Sequence, residues 1–274
     1  MGFGGVLAAR RSIGSGLATS AGGGFVGAYD AVPSIVAAYG MRRLRTAYTG
    51  SILRIRRSSD SAEQDIGYTG SGDLDTAAVA SFIGGGSGYI KNWYDQSGNA
   101  YTASQATAGA QPLYVASGQN GRPVGKYENG DSISTGLNLP APFTILYIAA
   151  MTAIGQKKRI LTASVNNWLL GWWENKRQAA YFEGWVSNPT IVTNYLYYLY
   201  GAVGTGSLSS VYENGIQFSS NSSGVAGPNG LGICNFGTET SDCTVAELVI
   251  CNTALSTADR QAAEAAANNY WAIY

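Results

Sequence analysis

The chain has 274 residues, which is enough for one large β domain with a full core. Charged residues make up 12% of it, and 17 basic side chains balance 17 acidic ones, so it lacks the positive excess that nucleic-acid binding requires. It contains no histidine, which excludes a Ser-His-Asp triad, a Cys-His protease and a zinc hydrolase. Its 37 glycines and 18 tyrosines favour an all-β protein.

The three cysteines, Cys234, Cys243 and Cys251, show no C-x-x-C spacing, so we predict no metal and no cofactor. We expect reduced thiols, with a Cys234–Cys243 bridge across a hairpin as the alternative. No apolar run reaches the length of a membrane span, so no membrane insertion is expected. Arg10 and Arg11 interrupt the apolar stretch that a secretory signal needs, which predicts folding in a cytoplasm.

Residues 1–25 consist mainly of Gly, Ser and Ala and cannot bury enough apolar area to fold alone. They are either a floppy tail or an extended N-terminal arm that orders against a partner. Residues 26–274 show no internal repeat and no second boundary, which predicts one domain.

The first half of that domain is mixed in pattern. Residues 28–50 have apolar spacings that fit a short helix, with three arginines, Arg42, Arg43 and Arg45, on its exposed side. Residues 51–58 alternate and predict a strand, and residues 88–94 predict another. Residues 72–84 predict a helix, which Asp73 or Asp75 caps and Gly84 ends.

After residue 110 the pattern is almost entirely strand and turn. Residues 143–153 form a continuous apolar run, as in a strand that is buried on both faces. Asn129-Gly130 and Asn214-Gly215 predict tight turns, the second between two alternating runs. The end, residues 256–274, predicts a helix with Ser256 as its N-cap and Asp259 completing a capping box. Further strands are predicted at 159–164, 166–175, 177–185, 194–204 and 245–255. Many strands and one terminal helix predict two antiparallel sheets packed as a sandwich.

The motif "NWYDQSGNAYTASQAT", residues 92–107, places a polar turn between aromatic residues. The side chains of Asp95 and Asn99 can bond the backbone of their own turn, and Gly98 can adopt a positive φ, so a structural role explains the motif. The alternative is a ligand-binding loop in which Asp95, Gln96 and Asn99 contact the ligand.

The second half of the chain resembles the concanavalin A-like, laminin-G-like jelly roll. The resemblance lies in a strand, an Asn-Gly hairpin and a final "E-x-x-x-x-N-x-x-L-S" passage into a helix. The matching positions are Asn214, Gly215, Glu247, Asn252, Leu255 and Ser256. This resemblance implies a jelly-roll sandwich, a fold that hosts lectins, glycosidases and adhesion modules.

The first half resembles the catalytic β-sandwich of family 54 α-L-arabinofuranosidases, and still more a set of phage and prophage proteins that share this segment. The residues that carry the resemblance are 42–67, 73–84 and 93–107. In the glycosidases the "YDQSGN" turn lies beside the sugar site. The resemblance also places Glu174, in "WWENKRQAAYF", at the position of their nucleophile.

Glycoside hydrolysis needs two carboxyl groups. The general acid of the family, an aspartate, would fall in the segment 231–242, where Cys234, Asn235 or Phe236 takes its place. The nearest carboxylates are Glu239 and Asp242, and Glu183 and Asp95 are the other candidates for the second group. Glu174 is therefore the only candidate nucleophile, and the missing acid predicts a chain that is not an enzyme.

The aromatic residues Trp168, Trp172, Trp173, Tyr181 and Trp185 lie at strand spacing. We expect half of them in the core and half facing outward, where they can stack on sugar rings. Trp172 and Trp173 are neighbours on a strand and must point to opposite faces. With Glu174 they are the candidate ligand-binding residues of this segment.

Together these patterns predict a phage virion structural protein, either a head decoration or fibre or a tail-fibre-like appendage. It would assemble in the host cytoplasm, bind other virion proteins through residues 1–25, form a homo-oligomer and attach to a host glycan through a lectin-like sandwich. The alternatives are an arabinofuranosidase-like glycoside hydrolase and a bacterial adhesion module.

Overall fold

The computed structural model describes residues 24–128, 130–153 and 159–274. Nearly all of the predicted N-terminal arm, residues 1–25, and Asn129 of the predicted Asn129-Gly130 turn lie outside these residues. The described part is all-β with two helices. Its strands are β1 Ile35–Gly40, β2 Leu53–Arg57, β3 Glu63–Ile66, β4 Gly88–Trp93, β5 Ala103–Ser104, β6 Leu113–Val115, β7 Val124–Tyr127, β8 Ile133–Asn138, β9 Phe143–Met151, β10 Leu161–Ala163, β11 Trp168–Trp173, β12 Lys176–Phe182, β13 Trp185–Ser187, β14 Ile191–Val192, β15 Tyr198–Gly204, β16 Ser209–Glu213, β17 Ile216–Asn221, β18 Asn229–Ile233 and β19 Cys243–Cys251. The α-helices are α1 Thr76–Ile83 and α2 Thr257–Trp271.

Antiparallel pairing joins these strands into one hydrogen-bonded network with two packed layers. One layer runs in the order β1, β19, β9, β15, β16, β17. The other runs in the order β8, β18, β10, β11, β12, with β13 and β14 beyond. The strands β2 to β7 link the layers at one side, because β7 pairs with β19 and β5 pairs with β8. The predicted all-β sandwich is thus confirmed at the level of its layers.

The two central strands, β9 and β19, are buried at every position, as the continuous apolar run over 143–153 predicts. The layers come close together at Gly171. A Cβ at this position would collide with the hydroxyl oxygen of Tyr147, and φ is +105° there. Only glycine allows this approach, which brings β11 down onto β9.

The predicted helix within residues 28–50 is wrong. This segment contains strand β1, which pairs with β19 from Ile35 to Gly40. Two β-branched residues, Ile35 and Val36, follow Pro33 and favour a strand, and four positions of the strand are buried. The apolar run fits a helix by spacing, but pairing with the buried edge of β19 satisfies its backbone and its side chains together.

The other predicted elements agree with the structure. Asp75 caps α1 by accepting a hydrogen bond from the amide of Ala78, and Gly84 ends the helix. Ser256 caps α2 by accepting from the amide of Asp259. The Asn214-Gly215 turn has positive φ at both residues, as a two-residue hairpin requires. The three cysteines are free and buried, and the sulfur atoms of Cys234 and Cys243 lie 3.7 Å apart.

A buried ion pair attaches α2 to the sandwich. The carboxylate of Glu247, on β19, accepts from Arg42 at 2.9 and 3.1 Å, from the indole of Trp271 at 2.9 Å and from the hydroxyl of Tyr29. We call these four residues the α2 cluster. The sequence predicts an exposed Arg42, but this residue is 8% exposed, because Glu247 offers it a buried counter-charge. Burial, the largest single influence, lowers the pKa of its guanidinium, but the charge and hydrogen bonds of Glu247, together with Tyr29 and Tyr270, outweigh burial and raise that pKa.

Candidate functional site

The turn of the "YDQSGN" motif is attached to the sandwich through Asp95, which is 5% exposed. One carboxylate oxygen accepts from the amides of Ala38 and Ser97 at 2.9 and 2.8 Å. The other accepts from the Ser97 hydroxyl at 2.7 Å and from the amide of Tyr101 at 3.1 Å. The bond from Ala38 holds the turn against β1, and the other three lie within the turn and fix its shape, which is the structural role that the sequence predicts.

Gln96 is 1% exposed and also bonds the backbone. Its side-chain oxygen accepts from the amide of Leu44 at 2.7 Å, and its nitrogen donates to the carbonyl of Arg42 at 2.9 Å. Asn99 is exposed and donates to the carbonyl of Val36 at 3.0 Å. Of the three candidate ligand contacts in this motif, only Asn99 has a side chain that faces solvent.

The hairpin of β11 and β12 separates the two adjacent tryptophans as predicted. Trp172 is the core residue: it is fully buried and its indole donates to the hydroxyl of Thr193 at 2.8 Å. Trp173 is half-buried and faces outward. The next two residues, Glu174 and Asn175, form the turn with φ values of 49° and 62°. Glu174 is exposed, and no described residue bonds its carboxylate.

The segment that would hold the general acid packs onto this hairpin through Arg159. The guanidinium of Arg159 donates from Nε to the carboxylate of Glu239 at 2.5 Å and from Nη1 to the side chain of Asn167 at 2.7 Å. Its carbon lies 5.3 Å from the ring centroid of Trp173 and 4.1 Å from that of Phe236. We call these five residues the loop cluster, since Glu239 and Phe236 lie in the loop between β18 and β19.

Arg159 is 4% exposed, whereas the Glu239 side chain is 35% exposed. Burial lowers the pKa of the Arg159 guanidinium, and the carboxylate of Glu239 partly opposes this effect. Solvent therefore reaches the carboxylate of the pair but not its cation. Nothing in the spacing of the sequence marks Arg159 as part of a site, because it comes from a distant segment.

Further polar and aromatic groups lie around the loop cluster. Glu183 is exposed and accepts from the amide of Asn167 at 2.7 Å. The half-buried rings of Tyr181 and Trp185 meet edge to face at 5.1 Å. Trp168, by contrast, is fully buried. The predicted aromatic group is thus split as expected, with Trp168 and Trp172 in the core and Trp173, Tyr181 and Trp185 at the surface.

At the position of the general acid, the structure shows no carboxylate. Cys234 is buried, and Asn235 and Phe236 are half-buried. The carboxylates that the segment does carry are Glu239, in the loop cluster, and Asp242, at the start of β19. The segment therefore packs beside the hairpin whose turn contains Glu174. Glu239 contacts this region through its hydrogen bond with Arg159.

The described residues hold neither a metal-binding cluster nor a membrane-spanning helix. Among residues 24–128, 130–153 and 159–274, no three His, Cys, Asp or Glu side chains are grouped as a metal site would need. In the same ranges, no helix is both long and apolar enough to cross a membrane.

One family model matches part of the chain. Residues 26–129 match the sequence model of the catalytic domain of alpha-L-arabinofuranosidase B. This range includes the "YDQSGN" motif and all of β1 to β7. No curated protein matches the chain.

Solved arabinofuranosidases share the fold. One, in complex with arabinofuranosyl-alpha-1,2-xylobiose, superimposes with a TM-score of 0.66 at 16% identity, and a mutant of a GH54 α-L-arabinofuranosidase soaked with 4-nitrophenyl α-L-arabinofuranoside gives 0.64 at 15% identity. Each match covers 87% of this chain and 63% of that chain. A Trypanosoma rangeli sialidase gives 0.51 at 14% identity, covering 87% of this chain and 34% of the sialidase.

These matches correct the function that the sequence predicts. The prediction is a phage virion protein and not an enzyme, but the sequence match is to a catalytic domain and the structural matches include arabinofuranosidases. None of these matches links the chain to a phage particle or a tail fibre. The prediction gave the missing aspartate more weight than the resemblance to the glycosidases, and the match of residues 26–129 to a catalytic domain contradicts it.

Proposed function

We propose that this chain is an arabinofuranosidase-like glycoside hydrolase domain that cleaves terminal arabinofuranosyl groups from a glycan. The observation that carries the proposal is the match of residues 26–129 to an arabinofuranosidase catalytic domain. The shared fold over 87% of the chain supports it. The chain spans 63% of the length of the first matched enzyme, so the proposal concerns the catalytic unit alone. We further propose that the sandwich is a concanavalin A-like jelly roll.

The proposed catalytic groups are Glu174 and Glu239. Glycosidases use one carboxyl group as nucleophile or base and a second one to transfer a proton to the leaving oxygen. Glu174 occupies the nucleophile position by resemblance, and its side chain is exposed. Glu239 lies in the loop that holds the family's acid and contacts Arg159 beside Trp173, the residue that precedes Glu174.

The proposed sugar-binding surface consists of the outward aromatic residues Trp173, Tyr181 and Trp185. Aromatic rings that are half-exposed offer one face or edge to the C–H groups of a sugar while the rest stays packed. Glu183 and Asn167 are the polar groups beside them. A furanoside bound on these rings would have Glu174 and Glu239 on its border.

Hydrolysis of 4-nitrophenyl α-L-arabinofuranoside by the purified chain tests the proposal. We expect turnover by the unaltered chain and a loss of roughly 10²- to 10⁴-fold in kcat for Glu174→Gln and for Glu239→Gln. The matched control is Glu63→Gln, because Glu63 is a strand carboxylate paired with Lys91 away from this hairpin. The control should keep full activity.

The absence of turnover by the folded, unaltered chain on arabinofuranosides would contradict the proposed function. Turnover that survives both glutamine substitutions would support the proposed activity but would show that Glu174 and Glu239 are not its catalytic groups. Thermal melting of each variant distinguishes a chemical defect from a folding defect.

A further inference from the structure

A cavity lies on a different part of the molecule from the hairpin and the loop cluster. It has a volume of about 420 Å³, within the range of small-molecule sites. The start of the described chain, the residues after β1, the loop before α1 and the end of α2 enclose it. It is lined by Phe25, Val26, Ala28, Arg42, Arg43, Gly70, Ser71, Gly72, Asp73 and Tyr270.

Two guanidinium groups line this cavity, and each has one nitrogen without a described partner. Arg42 uses Nε and Nη2 to bond Glu247, and Nη2 also donates to the carbonyl of Ala266. Arg43 uses Nε and Nη2 to bond the carbonyls of Arg45 and Thr46. The Nη1 groups of both arginines make no hydrogen bond to residues 24–128, 130–153 or 159–274. The side chain of Arg42 is 9% exposed, so its free nitrogen is held in a fixed place.

The charges around the cavity leave one positive charge uncompensated. Glu247 neutralises Arg42 through two hydrogen bonds. Asp73 pairs with Arg122 at 3.2 Å and accepts from the hydroxyl of Tyr270 at 2.6 Å. Arg43 has no carboxylate within 4 Å among the described residues, and its guanidinium lies over the rings of Phe25 and Tyr68. The cavity therefore attracts a single negative charge.

The shape of the donors favours a carboxylate. Guanidinium groups are planar and match the planar oxygens of a carboxylate better than they match a solitary ion. The rest of the lining is mixed. Phe25, Val26 and Ala28 are apolar, and the loop before α1 contributes the Ser71 hydroxyl, which donates to Asp73 at 2.9 Å, and the peptide groups of Gly70, which have no described backbone partner. These groups can bond hydroxyls. The ring of Tyr270 is covered by guanidinium groups, with carbons 4.0 and 3.5 Å from its centroid, so a large apolar ligand finds no free ring there.

We propose that this cavity binds the carboxylate of a sugar acid of monosaccharide size, with Arg42 and Arg43 on the carboxylate and the loop of Gly70 and Ser71 on the hydroxyls. The site shares no residue with the proposed hydrolase site, so it does not depend on that proposal. A uronic acid unit of a glycan would then be recognised at a distance from any cleaved bond.

Gly70 offers a way to close the cavity without altering the fold. A Cβ at Gly70 meets no atom within 4 Å and its φ is not in the left-handed region, so a side chain is accommodated. Gly67 has the same two properties and does not line the cavity. Gly70→Glu places a negative charge at the site, and Gly67→Glu is its matched control.

Isothermal titration of the full chain with galacturonate tests the proposal, with galactose, acetate and inorganic phosphate as comparison ligands. We expect galacturonate to bind, galactose to fail, acetate to bind at least tenfold more weakly, and Gly70→Glu and Arg43→Gln each to weaken galacturonate at least tenfold. Gly67→Glu should leave its binding unchanged.

Three results would overturn the proposal. If galacturonate does not bind the full chain, the cavity is not a binding site for a sugar acid. Phosphate binding as tight as galacturonate binding shows a general anion site and not one for a sugar acid. Equal binding by Gly70→Glu and the unaltered chain shows that the ligand lies elsewhere. Activity on arabinofuranosides has no part in these readouts, so the two proposals fail separately.

Discussion

The α2 cluster and the loop cluster both contain a buried arginine bonded to a glutamate, but they differ in what surrounds the carboxylate. Glu247 is 2% exposed and accepts hydrogen bonds from three side chains. Glu239 is open to solvent on one side, and Arg159 is the partner of its carboxylate in the described residues. A carboxylate that is enclosed and fully bonded holds two elements together, whereas one that solvent reaches can also meet a substrate.

Removing the carboxylate of the α2 cluster tests the first half of this comparison. Glu247→Gln leaves the Arg42 guanidinium buried without its counter-charge, and we expect a loss of about 3–5 kcal/mol in the free energy of unfolding. Urea denaturation measures it. The control is Asp65→Asn, which breaks the exposed pair of Asp65 with Arg54 and should cost about 0–1 kcal/mol. Equal losses in the two variants would show that burial of an ion pair does not determine how much the pair contributes to the free energy of unfolding.

Trp173 of the loop cluster and its neighbour Trp172 separate surface from core. Trp172→Ala empties a fully buried position and should cost about 3–5 kcal/mol. Trp173→Ala removes a half-buried ring and should cost clearly less, but it should weaken binding of arabinofuranosides because it removes a stacking surface. Melting curves and substrate KM, measured on both variants, check this. An unchanged KM in the Trp173→Ala variant would remove this ring from the proposed sugar-binding surface.

The carboxylate of the loop cluster should matter little for stability. Glu239→Gln keeps a hydrogen-bond acceptor for Arg159, and solvent screens the lost charge, so we expect a cost of about 1 kcal/mol or less. The same variant is the one expected to lose activity. A loss as large as that of Glu247→Gln would mean that the loop cluster, like the α2 cluster, serves mainly to hold the fold together.

The smallest effect concerns acid stability beside the α2 cluster. Burial raises the pKa of Asp73, but hydrogen bonds from Tyr270 and Ser71 and the charge of Arg122 outweigh it and lower this pKa. A carboxyl group whose pKa is lowered by folding stabilises the protein above its unfolded pKa, and that stability is lost as the pH falls through the folded pKa. Between about pH 4 and pH 2, Asp73→Asn should therefore lose less stability than the unaltered chain. Parallel slopes in urea titrations at these pH values would contradict this.

Local patterns predicted most of the strands and both helices. The caps Asp75 and Ser256, the Asn214-Gly215 turn and the apolar run of β9 depend on short-range geometry, so the sequence states them directly. The helix expected within 28–50 failed because an apolar spacing of this length fits a helix as well as a buried strand. Only the neighbouring strand β19 decides between them.

The candidate site shows the same limit. The sequence by itself determined that Trp172 and Trp173 face opposite ways, since side chains alternate along a strand. It placed Glu174 in the same strand, whereas the structure has this residue in a turn with a φ of 49°. It could not say which tryptophan is buried, nor that Arg159 joins Glu239 to Trp173, because those contacts span up to 80 residues and depend on how the layers pack. Tertiary structure decided them, since burial and charge pairing are properties of neighbours in space and not of neighbours along the chain.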